Sequence, residues 1–240
     1  MRILLNKLIN KLPFLHRRIE KKLAHDVSAL QLFRACHKHK TRKIKQQKIV
    51  NTRFIVLDTE TTGLQVYGGD EVIDIAMIEL QGLEPTGRSY QSYINPQRPI
   101  SAESSAIHHL TDRDVAGAPT LYEVLPDVIN FIDNGVLVGH HINFDIRFIN
   151  KVLQQCCHAQ LQNPWLDTML LYLEHRGQIG HYSLEEVATN CQVEITNRHS
   201  AEGDARATAT IFSSLVAQLA STQDSVGKLV QSQYRIRSGL

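Results

Sequence analysis

The chain has 240 residues, 42% of them apolar and 21% charged, enough for one sizeable core and too apolar for a disordered polymer. A net charge of +2 conceals two unlike parts: residues 1–50 carry 14 Lys and Arg against Glu20 and Asp26, while the remainder carries 12 basic and 22 acidic residues. The four cysteines (Cys36, Cys156, Cys157, Cys191) show no CxxC spacing and no paired framework, which excludes a readable zinc knuckle or disulfide scaffold and predicts reduced thiols and a cytoplasmic protein.

The first fifty residues read as a basic amphipathic helical extension ending in a linker. Leu4, Leu5, Leu8, Ile9 and Leu12 form one helical face that Pro13 ends, and Asn6, Lys7, Asn10 and Lys11 keep this stretch short of a secretory or membrane-spanning run. Leu15, Ile19, Leu23, Val27, Leu30 and Phe33 then recur at three- to four-residue spacing with Lys and Arg on the other faces. Such a stripe can lie on an anionic membrane, contact nucleic acid, dock on a polymerase or other protein partner, or pack on the acidic body of its own chain. His37 to Lys48 is polar and reads as a helix end plus linker.

Residues 51–222 have the pattern of an α/β domain, with 223–240 left as a C-terminal tail. Strands are predicted at Arg53–Asp58, Val72–Leu80 and Ser89–Ile94, the last two joined antiparallel through turns between Gly82 and Gly87. A short helix over Ser101–His109, a capping box at Thr111–Asp114 and a helix from about Thr120 to Ile132 follow. The run Val136–Val138 is a buried strand leading into a helix near Phe144, and Trp165–Leu166 is another strand. Helices near Thr168–Glu174, Ser183–Asn190 and Glu202–Leu219 complete a mixed sheet flanked by helices.

The most informative segment is Val56-Leu57-Asp58-Thr59-Glu60-Thr61-Thr62-Gly63-Leu64. Along a strand, side chains two apart share a face, so Asp58 and Glu60 project together. Adjacent carboxylates repel unless a positive charge lies between them, and a hard divalent cation such as Mg²⁺ or Mn²⁺ is the usual solution. Solvated acids at a strand end are the plain alternative. Asp145, in Gly139-His140-His141-Ile142-Asn143-Phe144-Asp145, falls at a strand-to-helix junction, where function in α/β sheets collects. A first-turn acid favoured by the helix dipole reads equally well. In His199-Ser200-Ala201-Glu202-Gly203-Asp204, a histidine stands five residues before an acid that opens a long Ala-rich helix. Alone, His199 reads as a surface or capping residue.

Taken together, the DxE, the Asp145 segment and His199…Asp204 resemble the DEDDh exonuclease family, whose members include DnaQ-like proofreading subunits. Phe54–Leu64 resembles its first motif almost throughout. Ala106-Ile107-His108-His109-Leu110-Thr111 with Gly117-Ala118-Pro119, and Asp167-Thr168 with Ser183-Leu184, resemble further family segments. The resemblance covers about residues 52–220. One departure stands out: the family pattern has His-Asn where this chain has His140-His141, which puts the contact made by that Asn in doubt.

The resemblance implies a ribonuclease H-like fold with Asp58, Glu60, Asp145 and Asp204 as ligands of two Mg²⁺ ions (Mn²⁺ able to substitute), held about 3.5–4 Å apart for an in-line displacement. It implies His199 as the group that takes a proton from the attacking water. Leu64 and Phe144 are candidates to contact the terminal bases, Thr61 to contact the 3′-hydroxyl, and His108 to lie near the substrate, although core packing suits Phe144 and a structural hydrogen bond suits His108. The expected activity is 3′→5′ hydrolysis of single-stranded or frayed DNA ends. RNA trimming by the same site is the alternative, and a non-catalytic nucleic-acid or membrane tether is a third reading.

Overall fold

A computed structural model describes residues 13–38 and 41–235. Its centre is a five-stranded sheet of β1 (Arg53–Thr61), β2 (Val72–Gln81), β3 (Glu84–Tyr93), β4 (Val136–Gly139) and β5 (Trp165–Asp167). The strand order is β3-β2-β1-β4-β5; β1, β2 and β3 pair antiparallel, and β4 and β5 run parallel to β1. This is the mixed sheet the sequence predicts, with one correction. β3 begins at Glu84 rather than Ser89, because the hairpin turn is the tight Gly82-Leu83 pair and the strand beyond it lies on an exposed edge. An exposed edge strand lacks the apolar alternation that marks a half-buried one.

Two separate cores cover the two faces of the sheet. Ile55 and Leu57 of β1, with Ile75, Met77 and Leu137, pack beneath α2 (Val27–His37), α6 (Leu121–Ile132) and α7 (Asn143–Cys157). Phe54 and Val56, with Ala76, Leu80, Val136, Val138 and Leu166, pack beneath α8 (Thr168–Arg176), α9 (Leu184–Asn190) and α10 (Ala201–Leu219). Short helices α4 (Ala102–His108) and α5 (Asp112–Val115) lie between β3 and α6. The alternation of β1 therefore decides which helix layer each side chain of the Asp-Thr-Glu run meets.

Both chain ends pack more closely than their sequences indicate. The apolar stripe of the extension is split between α1 (Pro13–Lys22) and α2 by Asp26, whose Oδ1 accepts the Ala29 N–H at 2.9 Å and starts a new helix. That restart turns Val27 outward, 66% exposed, while Leu32, Phe33 and Cys36 enter the core. The predicted face at Leu4–Leu12 lies outside the described residues. The polar 37–48 stretch is not wholly linker: α3 (Thr41–Lys45) buries Ile44 against the second core. The predicted C-terminal tail contributes α11 (Val226–Ser232), which buries Val226 and Leu229, and an isolated bridge joins Lys48 to Ser225. In each case one or two apolar residues in a polar run meet a surface supplied by a distant part of the chain. Among the described residues no helix is long and apolar enough to cross a membrane.

Candidate active site

Asp58 and Glu60 share the face of β1 that carries Phe54 and Val56, so they point toward α10. Asp204 is in the first turn of that helix and is buried. Two contacts set the helix start. Ser200 caps it, its hydroxyl accepting the Gly203 N–H at 3.1 Å, and Asp74 of β2, directly across from Glu60, accepts the Ala201 N–H at 3.3 Å. The first turn is also packed hard against the preceding loop, since any Cβ on Gly203 would collide with the carbonyl oxygens of Thr196 and Asn197. Carboxylate oxygens of Asp58, Glu60 and Asp204 consequently lie within 4.8 Å of one another.

Asp145 enters from the opposite layer, in the first turn of α7, and is buried beside Asp58. Its Oδ1 accepts the Thr59 hydroxyl at 2.6 Å, so the residue between the two β1 acids holds the fourth one. The close approach of β4 to β1 that brings α7 to this point depends on Gly139, where a Cβ would meet the Leu57 carbonyl oxygen at 2.9 Å.

Burial dominates the electrostatics. It pushes Asp58 well above the usual carboxylate range, reinforced most by the charge of Asp145. Burial and then Asp204 push Glu60 up to about 8. Burial raises Asp145 to about 7 against the opposing Thr59 bond, and raises Asp204 to about 6 against the opposing charge of Arg198. Asp204 Oδ1 is buried without a hydrogen-bond partner among the described residues. Hard anionic oxygens that converge, repel one another and include an unsatisfied acceptor fit a hard divalent cation.

These acids open into a cleft of about 370 Å³ also lined by Leu64, Phe144, His141, His181, Arg198 and His199. His199 sits just before α10 with left-handed backbone (φ 63°). Burial and the Arg198 charge hold its pKa below the ordinary histidine value, which leaves the ring neutral and able to accept a proton near neutrality.

A family model described as "Exonuclease" (the RNase T family) matches residues 55–212. The chain belongs to the DEDDh exonuclease family. It is 37% identical over 169 residues to a DNA polymerase III subunit epsilon-like protein of Rhodobacter capsulatus, covering 69% of this chain but only 24% of that one. It is 33% identical over 174 residues to the DNA polymerase III subunit epsilon of Aquifex aeolicus, covering 72% of this chain and 85% of that one. The nuclease domain of 3′hExo, a DEDDh family member bound to rAMP, superposes with a TM-score of 0.63 at 15% identity, covering 75% of this chain and 98% of that one. The fold is accordingly ribonuclease H-like, and the chain carries a hydrolytic exonuclease domain of a family that depends on divalent metal.

Within this DEDDh domain the remaining predicted residues fall into two groups. Leu64, 81% exposed, and Phe144, half-buried with its ring edge-on to Phe148 at 5.0 Å, both line the cleft. Thr61 and His108 do not. The Thr61 hydroxyl donates to the Gly63 carbonyl at 2.7 Å, which commits its proton and leaves its oxygen only as an acceptor. His108 is buried, its Nδ1 accepting the Leu110 N–H at 3.1 Å within the turn that follows α4.

Four functional contacts escape a reading of the sequence. The Arg198 guanidinium is bonded to Asp204 Oδ2 and donates from Nε to Glu185 at 2.7 Å, placing a fixed cation at the edge of the acid cluster and holding Glu185 down to about 2. Its position next to His199 was the available signal. Asp74 left only the weak signal of an acid in a largely apolar strand that also holds Glu79. Thr59 left no mark beyond its place between two acids. The fourth is a histidine cluster: His140 is a neutral clamp, donating from Nε2 to the Tyr182 carbonyl at 2.9 Å and meeting Thr168 Oγ1 at 3.0 Å through Nδ1, and burial lowers it to about 4. The neighbouring His141 stacks on His181 at 4.7 Å, and its backbone N–H donates to Asp167 at 3.1 Å.

Proposed function

We propose that the chain is a 3′→5′ exonuclease releasing nucleoside 5′-monophosphates from free 3′ ends, with single-stranded DNA as the preferred substrate. The observation that carries this reading is the meeting of Asp58, Glu60 and Asp204 within 4.8 Å, with Asp145 beside them and His199 in the same cleft.

Asp58, Glu60, Asp145 and Asp204 are the residues that would hold two divalent cations, Mg²⁺ or Mn²⁺. When bound, such ions neutralise the acids and stabilise the attacking and leaving oxygens of an in-line displacement at phosphorus. The chain's own groups do the rest. His199, neutral at working pH, accepts a proton from the attacking water. Leu64 and Phe144 contact the terminal base by apolar packing, which grips any base and reads none. Arg198 offsets part of the negative charge that would otherwise repel the incoming phosphate.

Relatives named as DNA polymerase III epsilon subunits support DNA as substrate and a protein partner; contact with that partner through residues 1–50 and a cytoplasmic location belong to the same proposal. RNA ends are the second reading, supported by the solved neighbour bound to rAMP. Asp58→Ala and Asp145→Ala should each abolish nucleotide release while circular dichroism remains that of the wild type; undiminished release by either variant overturns the exonuclease reading. Parallel digestion of labelled DNA and RNA strands with free 3′ ends ranks the two substrates.

A further inference from the structure

The loop joining β1 to β2 presents two large apolar side chains to solvent, Leu64 and Tyr67, the latter 73% exposed. Exposure of this kind usually accompanies a loose loop, but this one is anchored from four directions. Thr62 N–H donates to the Glu71 carbonyl at 2.9 Å, and Gln65 N–H to Asp70 Oδ2 at 2.9 Å. The Ser104 hydroxyl of α4 donates to the Thr62 carbonyl at 2.8 Å. Arg98 is bonded to the Gly69 carbonyl and to Asp70, and the buried Lys151 of α7 donates to the Asp70 carbonyl and to Glu71, each at 2.7 Å. Val66, between the two exposed residues, is buried in the first core. Tyr67 is thus held out on a fixed support.

Arg147 lies over the Tyr67 ring, its guanidinium carbon 5.6 Å from the centroid. Arg147 is exposed on α7 one turn beyond Phe144, and it forms no ion pair among the described residues. The pair is continuous with the cleft on both elements: Leu64 leads to Tyr67 along the loop, and Phe144 leads to Arg147 along the helix. On a body with an excess of acidic residues, a rigid aromatic face paired with a cation is the local complement of a base and its phosphate.

We propose that Tyr67 and Arg147 form a second nucleotide site for the unpaired strand upstream of the bond being cut, Tyr67 stacking a base on its open face and Arg147 pairing with a phosphate. This rests on the exonuclease reading for its place in the reaction, and the test separates the two. The full-length protein with Mg²⁺ is given two substrates: the p-nitrophenyl ester of thymidine 5′-monophosphate, which reaches only the cleft, and a single-stranded oligothymidylate. Tyr67→Ala and Arg147→Ala should lower the ratio of strand to ester kcat/KM about five- to hundredfold, chiefly through KM for the strand. Tyr67→Trp should restore the ratio, which a merely structural tyrosine would not allow. A ratio unchanged in both alanine variants overturns the proposal. If the wild type hydrolyses neither substrate, the exonuclease reading fails. The strand site is then judged by fluorescence anisotropy with a phosphorothioate-terminated strand: weaker binding by Tyr67→Ala supports it and equal binding overturns it.

Discussion

His199 and His141 both hold left-handed backbone, φ 63° and 59°, in the last and the middle of the three acid-bearing segments. Histidine is among the few side chains other than glycine found there with any frequency, along with asparagine. This accounts for His141 standing where the family pattern has Asn: either residue tolerates the turn whose N–H is bonded to Asp167. At His199 the same conformation turns the chain into α10 while keeping the ring in the cleft. His199→Ala should therefore lower kcat by about 10²–10⁴-fold, the usual range for a general base, without loss of fold. Because the folded-state pKa of His199 lies below the ordinary histidine value, the wild-type rate at saturating Mg²⁺ should fall on the acid side of neutrality, and the part of that limb due to His199 should vanish in the variant. A pH–rate profile of the variant parallel to the wild type would remove His199 from proton transfer. Asp58 and Glu60 were legible as a pair because two-residue spacing needs nothing but a strand. Thr59, Asp74 and Arg198 were not, since what each does depends on a partner 6 to 127 residues away.

Helices and strands were predicted well where they are periodic and bounded by caps. Thr120 with Glu123 and Ser183 with Glu186 are capping boxes that start α6 and α9 close to the expected positions. Prediction fell short where partners are remote: at the start of the exposed edge strand β3, at α3 with its lone buried Ile44, and at α11 beyond the expected end of the domain. The N-terminal stripe was legible as a helix face, and packing on the body of its own chain was among the readings it allowed; which of its residues enter the first core was not legible. Phe33 is fully buried there and packs beside His16 and His37 at ring separations of 4.5 and 4.4 Å. Phe33→Ala should cost about 3–5 kcal/mol of unfolding free energy in denaturant titrations, the range for a buried aromatic. A change below 1 kcal/mol would show α2 to be dispensable to the core. Removal of residues 1–48 should for the same reason impair folding and expose α6, rather than simply detach a tether.

Across the whole molecule, two helix layers meet at the C-terminal end of the central strand β1 and press four acids together, so the site opposes folding unless its charge is met. Glu60, Asp145 and Asp204 rise to about 8, 7 and 6, and Asp58 rises as well. The metal-free native state accordingly holds protons on these acids that the unfolded chain has released, and their contribution to stability falls as pH rises from about 4 to 8. Below about pH 6.5 buried histidines such as His140, lowered to about 4, act in the opposite sense, so the acids set the trend above it. Thermal melts in EDTA should show Tm decreasing from pH 6.5 to pH 8, with the gain on adding Mg²⁺ or Mn²⁺ growing over the same interval. A Tm in EDTA that does not change with pH would mean that the acids do not meet in solution. Order along the chain was sufficient to reveal the acid motifs, the strand and helix classes and the family resemblance, because spacing, caps and apolar period are local properties. The convergence of the acids, the guanidinium beside them, the inward turn of His108 and the packing of both termini follow from contacts between distant segments, which form only when the two cores close on the sheet.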